Sequence, residues 1–286
     1  DIKVIGCTNS RGSECSLNMD ETSQRILREV EEGNGSKELW IGYRGFGSTD
    51  GGDFSSLGTF VGQNTHLTKL VFDLRGTASW VDSLDVRNRL FYDGLKQNSS
   101  IHELNLYFYN LPIVDGVGRK ILDVYQEENN NLTILHISVA DLQNEGENVI
   151  ATTLRNNASL KRIDLHCCNI PDEQLLPMVD AVREHRSLEK LYLIGNRIGN
   201  AGCEAIATLL RDPNSNILKI NLGNNDINHE GAVALANGLA TNTKLKELWL
   251  NGNSWLERNP INQSNVVGIF NKLLCNKSSI RDTYFS

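Results

Sequence analysis

The sequence predicts an α/β array of stacked strand–turn–helix units, and three observations carry that prediction. One phrase recurs four times between Leu160 and Leu250, as LKRIDLHCCNI, LEKLYLIGNRI, ILKINLGNNDI and LKELWLNGNSW. Its first apolar residues, Leu160, Leu188, Ile217 and Leu245, are separated by 28, 29 and 28 residues. Within a phrase the apolar positions alternate, so Leu191 and Leu193 fall on one side of a short strand and Lys190, Tyr192 and Ile194 on the other. An Asn- and Gly-rich turn follows, and then apolar residues at helical spacing, such as Gly202, Ile206, Leu209 and Leu210. Neither the strand nor the helix of one unit can bury its apolar side alone, so neighbouring units must stack into a continuous core.

Taken in order, Ile2 and Val4 fit the strand phrase with Cys7 at the turn position. Residues 21–32 are expected to form a helix with Ile26, Leu27 and Val30 on one face, ending at Gly33 to Gly35. The inward pairs of the following strands are Leu39 and Ile41, Leu70 and Phe72, Leu104 and Leu106, Leu135 and Ile137, and Ile163 and Leu165. Leu191 and Leu193, Ile220 and Leu222, and Leu248 and Leu250 complete eight clear repeats, and a broken last copy lies at residues 280–285. The longer spacings of the early copies imply insertions, which in a stacked array map to rim loops. The candidates are YRGFGSTDGGDFSS after Gly42, expected to be the most mobile segment, RGTASWVDS with Trp80, and NSWLERNPINQ with Trp255.

A chain of 286 residues built this way is expected to be one domain, 1–286, with the terminal copies as remnants. Its net charge of −7 argues against a nucleic-acid surface, and no apolar run approaches the roughly 18 residues of a membrane span. Six cysteines, at 7, 15, 167, 168, 203 and 275, show no C-x-x-C spacing and read as reduced thiols, which favours a cytoplasmic location. Six N-x-S/T sequons, at Asn34, Asn98, Asn131, Asn157, Asn262 and Asn276, keep secretion open, as does a first residue that is Asp. Most of them precede the first apolar residue of a repeat, where a helix-ending turn accounts for Asn and Ser without sugar.

These units, with LxxLxLxxN strands and helices ending in N-x-S/T-L, resemble the ribonuclease-inhibitor-like class of leucine-rich repeats. That class includes ribonuclease inhibitor, the repeat arrays of NOD-like receptors and the Ran GTPase-activating protein. The resemblance implies a right-handed leucine-rich-repeat solenoid, a horseshoe with a parallel sheet on the concave face and helices on the convex face. It further implies a structural turn ladder, which here falls on Cys168, Asn196, Asn225 and Asn253. In the first half Arg44, Arg75, Tyr109 and Ala140 stand at the ladder position, so the pattern is least regular there.

No chemistry emerges from the remaining motifs. The glycines of residues 42–52 match neither G-K-S/T nor G-x-G-x-x-G, and no nucleophile sits in a G-x-S-x-G turn. His136 and His166 lie in adjacent repeats, but only Asp164 is near enough in the pattern to join them, so they read as surface histidines with no metal and no cofactor. The expected function is therefore a non-enzymatic, monomeric module that binds a protein partner through the concave face or rim loops. A regulator of a small GTPase acting through a rim loop is the alternative. On the concave face the partner-binding candidates are Trp40, Tyr107, His136, Arg162, His166, Lys190, Tyr192, Lys219 and Trp249, aromatic anchors beside mixed charge. Flat-sheet spacing puts Tyr192 and Trp249 about 10 Å apart with Asn221 between them. Arg162, Lys190 and Lys219 form a positive margin alongside.

Overall fold

The computed structural model describes residues 3–5, 37–42, 55–73, 89–112, 117–125, 131–142, 146–253 and 282–284. Two compact units are present, residues 1–140 and 141–286. The first carries strands β1 (Lys3–Ile5), β2 (Glu38–Gly42), β3 (Lys69–Asp73), β4 (Glu103–Pro112) and β5 (Ile134–Asp141), the last ending one residue into the second unit. Helices α1 (Ser55–Gln63), α2 (Arg89–Gln97) and α3 (Val117–Val124) lie between them. The second unit carries α4 (Gly146–Asn156), β6 (Arg162–His166), α5 (Asp172–Glu184), β7 (Lys190–Tyr192) and α6 (Asn200–Arg211). It continues with β8 (Lys219–Asn221), α7 (His229–Thr241), β9 (Glu247–Trp249) and β10 (Asp282–Tyr284). Within each unit the strands lie side by side in chain order, and β1 to β4 and β6 to β10 pair in parallel.

The eight strands β2 to β9 fall where the repeat phrase puts them, because its inward positions are buried at every copy. Leu39, Leu70 and Leu104 are in register with one another and fully buried, and so are Leu191, Ile220 and Leu248 of the second unit within a percent. Each such side chain contributes about 1.5–3 kcal/mol by leaving water. A slip of one residue would turn the whole row out to solvent, so the pattern also fixes the register. At β1 the expected alignment is off by one: Lys3 pairs with Leu39 and Val4 with Trp40, whereas the sequence reading set Ile2 and Val4 in the rows of Leu39 and Ile41. A copy with only two apolar landmarks does not specify register. The helix expected over 21–32, and the rim loops with Trp80 and Trp255, lie outside the described residues. Ser55 and Ser56, read as loop, already belong to α1.

The turns after β6, β7, β8 and β9 use one device. The residue before the ladder position adopts positive φ, at Cys167 (53°), Gly195 (71°), Asn224 (52°) and Gly252 (70°). Its amide donates to the next repeat: Cys167 N to Ile194 O, Gly195 N to Gly223 O, and Asn224 N to Asn251 O, all within 3.0 Å. Gly is the low-cost residue there; Cys167 adopts the conformation with a side chain. In the first unit Val139 occupies the same place before Ala140 with φ 55°. The ladder asparagine is missing there, and the strands run on: β4 has ten residues and β5 eight, against three in each of β7, β8 and β9.

Candidate partner-binding face

The ladder sets the geometry of the face. Asn196 accepts from the amides of Cys168 (3.0 Å) and Ile170 (3.2 Å) and donates to the carbonyls of Leu165 (2.7 Å) and Leu193 (2.9 Å). Asn225 accepts from Ile198 N at 3.1 Å and donates to the carbonyls of Leu193, Leu222 and Gly223 at 2.9 to 3.1 Å. Asn253 accepts from Asn225 N and Ile227 N and donates to Leu222 O and Leu250 O. Every one of these amides is buried. Cys168 takes the first place in the row as a fully buried thiol whose Sγ lies 3.5 Å from His166 O.

A second ladder runs along the helix ends. Asn64, Asn98, Asn157 and Asn242 each accept from the two amides that lead into the next strand, Leu67, Ile101, Leu160 and Leu245 among them. Asn98 and Asn242 also donate back to the preceding repeat, to Val61 O and Leu210 O. The turn explanation of the sequons is realised at Asn98 and Asn157, whose side chains are buried. In the repeat that follows α5 the place is held by His185. Its Nδ1 accepts from Leu188 N at 3.1 Å, and its Nε2 faces Asn157 O at 2.5 Å, so the proton sits on Nε2. Burial lowers its pKa below 6.5, against a smaller upward pull from the Asn157 carbonyl. All these residues stand three positions before the first apolar residue of a repeat, a signal that the sequon pattern only partly exposes.

On the first unit's open face Trp40 of β2 leans across β3 and stacks with Tyr107 of β4, ring centroids 6.2 Å apart and planes 14° from parallel. Tyr107 in turn meets His136 at 5.4 Å. Val71, expected to face outward to solvent, pairs in register with Trp40 and is fully buried. Trp40 Nε1 donates to Glu38 at 2.6 Å, and Lys69 bridges Glu38 (3.1 Å) and Glu103 (3.2 Å). Burial alone would lower the pKa of Lys69; the hydrogen bonds and charges of the two carboxylates outweigh it and raise it. Asn105, beside Val71, is buried with its Oδ1 unsatisfied among the described residues.

The second unit's face holds the other candidates. Register aligns Asp164, Tyr192, Asn221 and Trp249 in one column and Arg162, Lys190, Lys219 and Glu247 in the next. Two corrections follow. The Tyr192 and Trp249 rings are in edge-to-face contact, centroids 5.9 Å apart at 86°, not 10 Å apart, because both lean over the short Asn221. The positive margin is largely balanced: Arg162 grips the buried Asp164 through two nitrogens (2.6 to 3.1 Å), and Lys219 meets Glu247 at 2.5 Å. The Arg162 guanidinium also lies over the Tyr192 ring, 4.9 Å from its centroid. Burial raises the Tyr192 phenol pKa despite the opposing charges of Arg162 and Lys219. Lys190 makes no ion pair among the described residues. His166 is half-buried at the edge of this face, and His136 belongs to the cluster of the first unit. Among the described residues no three His, Cys, Asp or Glu side chains converge to hold a metal.

Comparison with known proteins agrees with this architecture. The family model described as Leucine Rich repeat matches residues 184–207 and 214–236. Protein CARMIL of Dictyostelium discoideum is 32% identical over 99 residues, 34% of this chain and 9% of that protein. Ribonuclease inhibitor of Mus musculus is 32% identical over 120 residues, 42% of this chain and 26% of its own length. The NACHT, LRR and PYD domains-containing protein 13 of Homo sapiens is 27% identical over 151 residues, 53% of this chain and 14% of that one. The chain thus spans well under half the length of the curated relatives it matches.

Proposed function

We propose that this chain, a leucine-rich-repeat protein of the ribonuclease-inhibitor-like class, works as a monomeric, non-enzymatic module that holds a partner protein against the open face of its sheet. Leucine-rich-repeat proteins generally mediate protein–protein interaction. What supports the reading above all is that Trp40, Tyr107, Tyr192 and Trp249 are half-exposed on strands yet already held in place by ring and hydrogen-bond partners. Rigid, partly exposed aromatics lose little entropy when a partner covers them, which is why such residues dominate interface energetics. Among the described residues Cys167, Cys168 and Cys203 form no disulfide. No described helix is long and apolar enough to cross a membrane.

The test is photo-crosslinking in cells with benzoylphenylalanine at Tyr107 or Tyr192, against Glu204 on α6 as the helix-side control. A discrete adduct from the two sheet positions and none from Glu204 is expected. Trp249→Ala should then weaken the captured complex by about 2 kcal/mol or more with little change in thermal midpoint. Adducts that form equally from Glu204, or from neither sheet position, would remove the sheet face from the account.

A further inference from the structure

We infer that the second unit's open face takes an acidic segment of a partner protein, with one carboxylate seated on Lys190 and an apolar neighbour against Tyr192 and Trp249; this rests on the interaction-module reading above. The register sets Arg162, Lys190 and Lys219 side by side on adjacent strands. Like charges directly opposite one another across a sheet are destabilising, and strands lie about 4.8 Å apart. The fold relieves the two outer cations with dedicated carboxylates, Asp164 for Arg162 and Glu247 for Lys219. Nothing among the described residues does so for the central one. Lys190 is therefore a half-exposed cation held between two cations, an electrostatic cost that an external anion would relieve.

The same arrangement selects the anion. Among the described residues three cations face two carboxylates here, an excess of one positive charge that matches a carboxylate better than a doubly charged phosphate. Asp282 stands beyond Glu247 in the same row. It is three strands from Lys190, roughly 14 Å, outside the screening length of about 8 Å. Beside the cation the Tyr192–Trp249 edge contact offers an apolar, prearranged surface, so the complementary segment alternates acidic and aliphatic or aromatic side chains.

The experiment measures fluorescence anisotropy of three labelled dodecapeptides on the full chain: Glu alternating with Leu around a central Phe, the same peptide with Lys for Glu, and one with phosphoserine for the two central Glu. The Glu peptide should bind, weaken with added salt, and outcompete the Lys peptide. Lys190→Glu should lose on the order of tenfold or more for the Glu peptide and gain affinity for the Lys peptide, with Lys190→Met between. Because Lys190 makes no ion pair among the described residues and sits between two cations, each variant should keep or raise the parental thermal midpoint. Equal binding of the Glu and Lys peptides, or an unchanged Lys190→Glu, overturns the proposal, as does tighter binding of the phosphoserine peptide. If the Tyr192 crosslink survives in Lys190→Glu at full yield, the acidic-segment inference falls while the interaction module stands.

Discussion

Replacing Asn225 by Ala removes one buried acceptor and three donated hydrogen bonds, and the structure says which of these matter. The carbonyls of Leu193 and Leu222 each keep a second donor, Asn196 Nδ2 and Asn253 Nδ2 at 2.9 Å, and Gly223 O keeps the Gly195 amide. The Ile198 amide, in contrast, has Asn225 Oδ1 as its side-chain acceptor at 3.1 Å and is left buried and unpaired. One orphaned donor costs about 1–3 kcal/mol, whereas losing a redundant bond to an already satisfied carbonyl costs little. Asn196→Ala and Asn253→Ala each remove the side-chain acceptor of two amides, those of Cys168 and Ile170 and of Asn225 and Ile227. Both should therefore be more destabilising than Asn225→Ala, by about 1 kcal/mol or more. Urea unfolding of the three variants, with the m-value checked for constancy, reads the order. Amide exchange at Ile198 should accelerate in Asn225→Ala before the global transition. Equal midpoints for all three, or Asn225→Ala as the most damaging, would refute the donor-counting argument.

Protonation of His185 should destabilise the fold. Its folded pKa is held below 6.5, so the unfolded chain takes up the proton first; this contribution is complete above about pH 6.5 and is lost as pH falls from there towards the folded pKa. The urea midpoint should drop between pH 7 and pH 5, and His185→Asn, the residue other repeats use, should flatten that segment of the curve. Val139→Gly should stabilise by up to about 1 kcal/mol, since a branched side chain at φ 55° carries a cost that glycine does not; a lower thermal midpoint would show that Val139 packing outweighs the strain. The single-domain proposal is tested by fluorescence of Trp40 and Trp249 in separate single-tryptophan chains. Coincident transitions are expected, and two resolved ones would reject it.

Strands and ladder were legible in the sequence because each is set by a local pattern repeated many times, and a repeated pattern averages out local exceptions. Leu191, Ile220 and Asn225 could be placed from spacing alone. The face was legible only as columns. Arg162 and Asp164 share one side of one strand, and Lys219 and Glu247 share one row, so both pairs were accessible to the same reasoning. That the Tyr192 and Trp249 rings close to 5.9 Å was not, since rotamers decide it and strand spacing does not. His185 escaped because the helix-end position was read through a glycosylation motif, to which a histidine is invisible. The lengths of β4 and β5 were not legible, since nothing periodic in the sequence marks them.

The buried sequon side chains have a consequence for biosynthesis. Oligosaccharide is attached to the Asn side-chain nitrogen of an N-x-S/T site as a bulky, hydrated group, and that nitrogen of Asn98 is the one that donates to Val61 O and Asn64 O inside the stack. A sugar there cannot coexist with the closed turn, so for this chain glycosylation and folding are alternative fates of the same atom. Routed through a secretory pathway, the protein should divide into a modified, misfolded pool and an unmodified, folded one, and Asn98→Gln would abolish the modification at that site without restoring the turn, since the longer amide no longer reaches both repeats.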